Sequence, residues 1–152
     1  MSKNRLTNMA FDPVLQEIIQ IAHNIRAELE KSLEDEFSGV FYGDLTGMCA
    51  IATSKLFQKC VERNFDVKIA YNHNHVFLRY KRYVIDITAT QFGSKFKKVE
   101  VRPLKEMRQL KTSQPNWGKT YWDVKERFSS VEDLRAHLFK ENWPKYQIPH
   151  VV

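Results

Sequence analysis

Three residues near the middle of the chain, Cys49, His75 and Asp86, have side chains suited to thiol chemistry. Cysteine supplies a nucleophile, histidine a general base near neutral pH, and a carboxylate a group that orients the imidazole. Cys49 follows Gly47 in "TGMCAIA", where an apolar helical pattern begins. Because the N-terminus of a helix favours negative charge, a thiolate is stabilised at that position. Cys49 is therefore a candidate nucleophile, and the small Gly47 leaves room for a substrate to approach it.

The alternative is a structural cysteine, since Cys is a small apolar residue that packs well in cores. Cys60 lies in the middle of the same helical pattern, flanked by apolar positions, and we interpret it as such a core residue. For Cys49 alone the two interpretations are evenly balanced, and its partners decide between them. If both cysteines lie on one helix, they are roughly 16 Å apart and cannot form a disulfide. This favours a reducing, cytoplasmic setting.

A predicted β-hairpin brings the partners of the cysteine together. Residues 75–80 and 83–89 are rich in Val, Ile, Phe and Tyr, which is typical of strands, and a short turn separates them. With the strands paired outward from this turn, every second residue of each strand points to the same face. His75 and Asp86 are then diagonal neighbours, with β-carbons roughly 7 Å apart.

Asp86 is informative because it interrupts an apolar strand, "YVIDITA". An unpaired carboxylate is costly in such a place, so Asp86 needs a partner. His75 is the partner that completes a catalytic set. Two alternatives stay open: Arg79 pairs with Asp86 in a purely structural ion pair, or His73, which has the same strand parity as His75, is the base.

Taken together, Gly-x-Cys at the start of a helix, "HVF" on one strand and "IDIT" on the next resemble the transglutaminase-like branch of the papain-like superfamily. This group includes transglutaminases, cysteine peptidases and peptide N-glycanases, and arylamine N-acetyltransferases share its Cys-His-Asp order. The resemblance covers about residues 44–92. It implies that Cys49 is the nucleophile, His75 the base and Asp86 the orienting group.

The stretch "DITATQF" further resembles small bacterial and phage members of this group. This implies that Thr88 and Gln91 line the substrate site, with Gly47 on the other side of it. Two features depart from the pattern. Phe77 stands where many members carry tryptophan, and no upstream residue corresponds to the oxyanion glutamine of papain-type enzymes.

The remaining patterns predict an α+β protein with a papain/transglutaminase-like arrangement, in which N-terminal helices pack on a small antiparallel sheet. We expect one domain over 1–152, with residues 1–10 as a loose arm and no clear pattern over 103–128. The expected helices run from Pro13 to Ser38-Gly39, from about 47 to 63 with Thr46 or Asp44 as N-cap, and from Ser129 or Ser130 to a stop before Trp143. Ser129 with Glu132 fits a capping box. The expected strands are 66–72, 75–80, 83–89 and 96–102.

The formal charge of +6 is unevenly distributed. Residues 12–37 carry seven acidic residues against two basic ones, whereas residues 93–111 carry seven basic against two acidic. We interpret the basic segment, from 95 to 111, as a solvated surface that complements the acidic helix or meets an acidic partner. Nucleic acid is less favoured, since no nucleic-acid motif accompanies the charge. No apolar run predicts a membrane span or a signal peptide.

These observations predict a cysteine-dependent acyl-transfer enzyme that hydrolyses an amide of a protein or peptide substrate through a thioester, without a cofactor. No metal is implied, because the His73-x-His75 pair lacks further ligands. One alternative is transfer of the acyl group to an amine, or from a thioester cofactor, as in transglutaminases and acetyltransferases. The other is a non-catalytic protein whose basic segment, with Trp117, Tyr121 and Trp122, binds a protein or nucleic-acid partner.

Overall fold

The structure, a computed structural model, describes residues 9, 11–36, 47–72, 75–93, 96–107, 121 and 124–150. In these ranges the chain forms an α+β arrangement of helices and one antiparallel sheet. The helices are α1 (Pro13–Glu36), α2 (Cys49–Glu62), α3 (Leu104–Met107) and α4 (Val131–Lys140), with 3₁₀ turns at Ala89–Phe92 and Lys145–Gln147. The strands are β1 (Lys68–Asn72), β2 (His75–Tyr80), β3 (Tyr83–Asp86), β4 (Glu100–Pro103) and β5 (Glu126–Phe128). None of the described helices is both long enough and apolar enough to cross a membrane.

The five strands follow the order β4-β3-β2-β1-β5, and each neighbouring pair is antiparallel. In the central hairpin Tyr80 lies opposite Tyr83 and Arg79 opposite Val84, which confirms the predicted register. The sequence did not predict β5. It pairs with β1 on the side away from β2, so that a segment from late in the chain forms the edge strand of the sheet.

One face of the sheet packs against the helices. Helix α1 buries Leu15, Ile18, Ala22, Ile25 and Leu29, and α2 lies between this helix and the strands. Phe11, before the start of the helix, is 81% exposed. Alternate strand residues point into this core because successive side chains of a strand point to opposite faces. The core includes Leu15, Ile18, Ala22 and Ile25 of α1, Leu56 and Phe57 of α2, and Ile69, Val76, Leu78 and Ile85 of the sheet.

The opposite face of the sheet is covered as well. A second apolar cluster contains Ala70, Phe77 and Val84 from three adjacent strands, together with Phe92, Phe96, Met107 and Tyr121. His75 shares this face, because it lies two residues before Phe77 on the same strand. His75 is the first residue of β2 and lies at the end of that strand.

Helix α1 begins at Pro13, as predicted, and Asp12 caps it. Oδ1 of Asp12 accepts a hydrogen bond from the backbone N–H of Leu15 at 3.0 Å, and Pro13 is the first helical residue. Asp12 also accepts from the hydroxyl of Tyr80, which ties the helix to the central hairpin. Met9, the described residue of the predicted loose arm, packs against the core. The predicted stop at residues 38–39 lies outside the described ranges.

Three strands are shorter than expected, and the first of them, predicted over 66–72, begins at Lys68. The strand predicted over 83–89 ends at Asp86, because the Asp86 carboxylate accepts the backbone N–H of Thr88 and turns the chain into a 3₁₀ helix. The strand predicted over 96–102 is confined to β4, where Asp86 lies opposite Glu100. Asp86 is therefore the last residue of β3, directly before the turn, and not the middle of a longer strand.

The start of α4 corrects the predicted capping box. Ser130 is the N-cap, since its hydroxyl oxygen accepts the backbone N–H of Asp133 at 3.2 Å. The hydroxyl of Ser129 instead accepts a hydrogen bond from Lys68 at 2.7 Å. The interpretation of Ser129 and Glu132 as a reciprocal cap was therefore wrong by one residue. The helix ends at Lys140, before Trp143 as predicted.

Candidate active site

His75 and Asp86 form a buried pair. Nε2 of His75 lies 2.6 Å from Oδ2 of Asp86, and the exposed fractions of the two residues are 0% and 1%. The alternative in which Asp86 pairs with Arg79 is wrong, because the partners of the carboxylate are His75, Thr88 and Tyr121. The other alternative, His73 as the base, falls on a residue outside the described ranges.

The Asp86 carboxylate is fully engaged. Oδ2 also accepts the hydroxyl of Tyr121 at 2.6 Å, while Oδ1 accepts the backbone N–H of Thr88 at 2.9 Å and its hydroxyl at 3.3 Å. Burial by itself raises the pKa of Asp86, but the charge and hydrogen bond of His75, followed by the bonds from Tyr121 and Thr88, lower it overall. Asp86 is thus a buried anion with its acceptor sites filled, which is how a buried charge is tolerated.

Aromatic rings hold the imidazole in place. The ring of Phe92 meets His75 edge-on with the centroids 4.7 Å apart, and Phe77 stacks on it at 6.0 Å. Tyr121 approaches from another side at 6.0 Å, nearly perpendicular to the imidazole. Because these rings fill the space around His75, the imidazole keeps the orientation that its bond to Asp86 sets.

Cys49 is the first residue of α2, as the helical pattern predicts. The N-cap position is held by Met48, which makes no side-chain capping bond, and the predicted caps Thr46 and Asp44 lie outside the described ranges. Since the first helical bond runs from Ala52 N to Met48 O, the backbone N–H of Cys49 has no acceptor within the helix. Such an N–H group can bind a developing negative charge.

The Cys49 thiol interacts with the His75 ring. Burial alone lowers the pKa of His75, but the charge and hydrogen bond of Asp86, and then those of Cys49, raise it to about 10. Nε2 is taken by Asp86, so Nδ1 is the nitrogen that remains for the sulfur. By geometry Nδ1 has no hydrogen-bond partner. The sulfur is therefore near the ring but not in a well-formed bond, as is common in catalytic pairs without substrate.

A second contact fixes the neighbouring elements. The hydroxyl of Thr53, one turn into α2, donates to the carbonyl oxygen of Val76 at 3.2 Å. Val76 follows His75 directly, so this bond joins the helix that carries the thiol to the strand that carries the imidazole. Both partners are buried, which shields the bond from water.

Gly47 lies two residues before the thiol in a left-handed conformation, with φ +82°. A Cβ atom at this position would lie 3.0 Å from Nε2 of Gln147, so the side-chain amide of Gln147 packs directly on the glycine. Glycine is needed here for its backbone conformation and for this close approach. Its predicted role in substrate binding stays a prediction.

Thr88 and Gln91, which the resemblance places along the substrate site, support the carboxylate. Thr88 is buried and donates twice to Asp86. Nε2 of Gln91 donates to the carbonyl oxygen of Thr88 at 3.0 Å and approaches its hydroxyl at 3.2 Å. The two residues therefore form a chain of contacts that ends on Asp86, and their contact with a substrate stays a prediction.

Both cysteines are buried in the core that the helices cover: Cys49 is 4% exposed and Cys60 is 0% exposed. For Cys60, burial raises the pKa of the thiol to about 12, although Arg63 opposes this. Both cysteines are free, as their separation on one helix predicts. The interpretation of Cys60 as a core residue is confirmed.

Sequence reasoning missed two residues of the site. Tyr121 was considered only as part of a partner-binding segment, yet it is 2% exposed and bonded to Asp86, so its side chain is not available to a partner. Arg26 of α1 is also buried and reaches the segment that follows Asp86. The other members of the proposed binding surface, Trp117 and Trp122, lie outside the described ranges.

The basic segment is partly paired within the molecule. Nζ of Lys98 lies 3.1 Å from the carboxylate of Glu30 on α1, and Nε of Arg102 lies 3.3 Å from that of Glu100. The first pair agrees with the interpretation that the basic segment complements the acidic helix. Lys98 is exposed, so its pair with Glu30 contributes little to stability. Glu100, in contrast, is 2% exposed.

The carboxylate of Asp86 and the thiol of Cys49 thus both interact with the imidazole ring of His75. Among the described residues, no cluster of three or more His, Cys, Asp and Glu side chains is arranged to hold a metal ion. No family model, curated protein or solved structure matches the chain.

Proposed function

We propose that the protein is a cysteine-dependent acyl-transfer enzyme that hydrolyses an amide bond of a protein or peptide. The observation that carries the proposal is the His75–Asp86 bond of 2.6 Å, which occupies Nε2 and leaves Nδ1 for the thiol of Cys49. A thiol, a base and an orienting carboxylate in this order are the parts that nucleophilic acyl transfer requires.

In the first half of the reaction, Nδ1 of His75 holds the proton of Cys49, in agreement with the raised pKa of the imidazole, and the sulfur attacks the carbonyl carbon. The carbonyl oxygen becomes an oxyanion, which the backbone N–H of Cys49 stabilises. The carbon–nitrogen bond then breaks, and the proton on Nδ1 goes to the leaving amine. Asp86 holds the other ring nitrogen throughout, so that the imidazolium is stabilised when it forms.

In the second half, water attacks the thioester and gives a proton to Nδ1. The carbon–sulfur bond breaks, the proton returns to the sulfur, and the product leaves as a carboxylic acid. An amine in place of water would give transamidation by the same steps. We favour water, because it is always available.

The proposal extends to fold and setting. The helix that begins at a cysteine, packed against an antiparallel sheet that carries His and Asp on neighbouring strands, supports a papain/transglutaminase-like fold. A cytoplasmic setting is consistent with two free cysteines, since a thiol nucleophile must stay reduced. An acidic partner for the exposed lysines of the basic segment, such as Lys97 and Lys105, is part of the same proposal.

Alkylation with iodoacetamide tests the thiol. Because an adjacent general base activates a thiol, we expect Cys49 to react about tenfold faster than glutathione. His75→Gln should remove this advantage. Cys60 is the internal control: it is fully buried and the pKa of its thiol is raised, so it should react only after unfolding. A rate for Cys49 equal to that of glutathione, or one unchanged by His75→Gln, would contradict the proposal.

The reaction itself is tested with a peptide library from a cell extract, incubated in water labelled with ¹⁸O. Wild-type protein should introduce ¹⁸O at new C-termini if it cleaves peptide bonds, or at glutamates derived from glutamine if it deamidates. Cys49→Ala is the control and should introduce none. Crosslinked peptides without ¹⁸O would indicate transamidation instead, and identical patterns for both proteins would exclude both activities on peptides.

A further inference from the structure

Tyr121 and His75 bind the same oxygen atom of Asp86. We propose that Tyr121 is a positioning residue of the site, whose hydroxyl, by sharing Oδ2 with the imidazole, moderates how strongly Asp86 holds the proton on His75. The inference rests on the proposed function for its catalytic consequence, and on the geometry alone for its effect on His75.

The geometry around Oδ2 is well defined. The hydroxyl of Tyr121 and Nε2 of His75 each lie 2.6 Å from this atom. All three residues are at most 2% exposed, so water does not replace either donor. The ring of Tyr121 packs edge-on against Phe77 with the centroids 5.1 Å apart, and against Phe92 at 6.3 Å. These contacts fix where the hydroxyl points.

Tyr121 acts as a donor over the working range of pH. Burial, and then the charge and hydrogen bond of Asp86, raise the pKa of Tyr121 well above 10, so its hydroxyl keeps its proton. A donor on a carboxylate oxygen draws away part of its negative charge. It therefore weakens the hold of that oxygen on a second donor.

This arrangement matters for the proton that His75 must release. A strong ion pair with Asp86 keeps the imidazole protonated, whereas the leaving amine needs the proton from Nδ1. By sharing Oδ2, Tyr121 stabilises the anion of Asp86 and at the same time makes His75 a better acid. Without the hydroxyl, His75 would bind its proton more tightly.

Other charged groups near the pair are accounted for. Cys49 faces His75 from α2. Glu100 lies opposite Asp86 on β4 and acts on Tyr121 through its charge, and it is paired with Arg102. Neither Glu100 nor Arg102 bonds to Asp86. Tyr121 is thus the neutral donor on Oδ2, the atom that also binds His75, whereas Thr88 donates to Oδ1.

Tyr121→Phe tests the inference without an assay of activity. The titration of His75 is followed by the NMR shifts of its ring nitrogens in the folded protein. Since a hydrogen bond contributes about 1 kcal/mol, the midpoint should rise by about 0.5–1 pH unit. Tyr83→Phe is the matched control. Tyr83 is also buried, at 4% exposed, but its hydroxyl accepts a hydrogen bond from Arg82 and does not contact Asp86.

A second variant covers the case in which Tyr121→Phe does not fold. Site-specific replacement of Tyr121 by 3-fluorotyrosine keeps the ring and makes the hydroxyl a stronger donor, so the midpoint of His75 should fall. An unchanged midpoint in a folded variant overturns the inference. A midpoint that moves in a protein that turns over no amide supports the inference and counts against the proposed function instead. In an active protein, the pH profile of kcat should move with the midpoint, while KM is unchanged.

Discussion

Nη1 of Arg26 donates to the carbonyl oxygen of Ile87 at 2.8 Å, although the two residues are 61 positions apart. The same nitrogen lies 3.1 Å from the hydroxyl of Thr90, and Nε pairs with Glu30 at 2.8 Å. Arg26 is 2% exposed, so these bonds are made in the interior. Helix α1 therefore holds the turn that follows Asp86, and the position of the carboxylate depends on a helix remote from it in sequence.

Arg26→Met should lower the free energy of unfolding by about 2–4 kcal/mol, because it leaves the Ile87 carbonyl and the Glu30 carboxylate without their buried partner. Urea denaturation measures the loss. Arg63→Met is the control, since the pair of Arg63 with Glu17 is exposed and should cost less than about 1 kcal/mol. Equal effects of the two substitutions would mean that Arg26 does not organise the turn.

Cys49→Ala should remove all turnover and all rapid alkylation, because no other described thiol lies beside an imidazole. The side chain is small, so we expect a loss of about 1 kcal/mol of stability. Thermal unfolding followed by circular dichroism checks this. A severe loss of stability would instead identify Cys49 as a core residue, and Cys60→Ala provides the comparison, since Cys60 lies in the centre of the core.

Asp86→Asn should leave the fold intact but lower kcat by about 10³–10⁴-fold, by analogy with other thiol and hydroxyl nucleophiles oriented by a carboxylate. The amide keeps an oxygen for Thr88 or Tyr121, yet it removes the charge that stabilises the imidazolium. Steady-state kinetics on a substrate found with the peptide library measures the loss. Full activity in a folded variant would remove Asp86 from the mechanism.

The stability of the protein should depend on pH through the His75–Asp86 pair. The pKa of His75 is raised from 6.5 to about 10 in the folded state, so its contribution is complete below pH 6.5 and is lost as the pH rises through about 10. The pKa of Asp86 is lowered from 3.8, so its contribution is present above pH 3.8 and is lost as the pH falls further. Urea denaturation from pH 5 to pH 10 should show the decline, and His75→Gln should flatten it.

The hairpin could be predicted because alternation and a short turn leave one register that buries the apolar face. The start of α2 could be predicted because apolar periodicity begins there. Tyr121 could not, since it lies 35 residues beyond Asp86 in a stretch without periodicity, and nothing local marks its hydroxyl as a donor. In the sequence, Arg26 and Glu30 have the i,i+4 spacing of an ordinary surface ion pair. Only the packing of α1 in the folded protein reveals that Arg26 is buried. Strand β5 is too short to show alternation.

The sheet order has a kinetic consequence. His75 and Asp86 are only 11 residues apart, so the pair closes a short loop at a small entropic cost. Strand β5 joins β1 from more than fifty positions downstream, and long-range pairing of this kind is slow. The imidazole of His75 and the carboxylate of Asp86 should therefore meet early in folding, before β5 pairs with β1. Pulsed hydrogen exchange during refolding should find the amides of β2 and β3 protected ahead of those of β5, and simultaneous protection would show that the whole sheet condenses in one step.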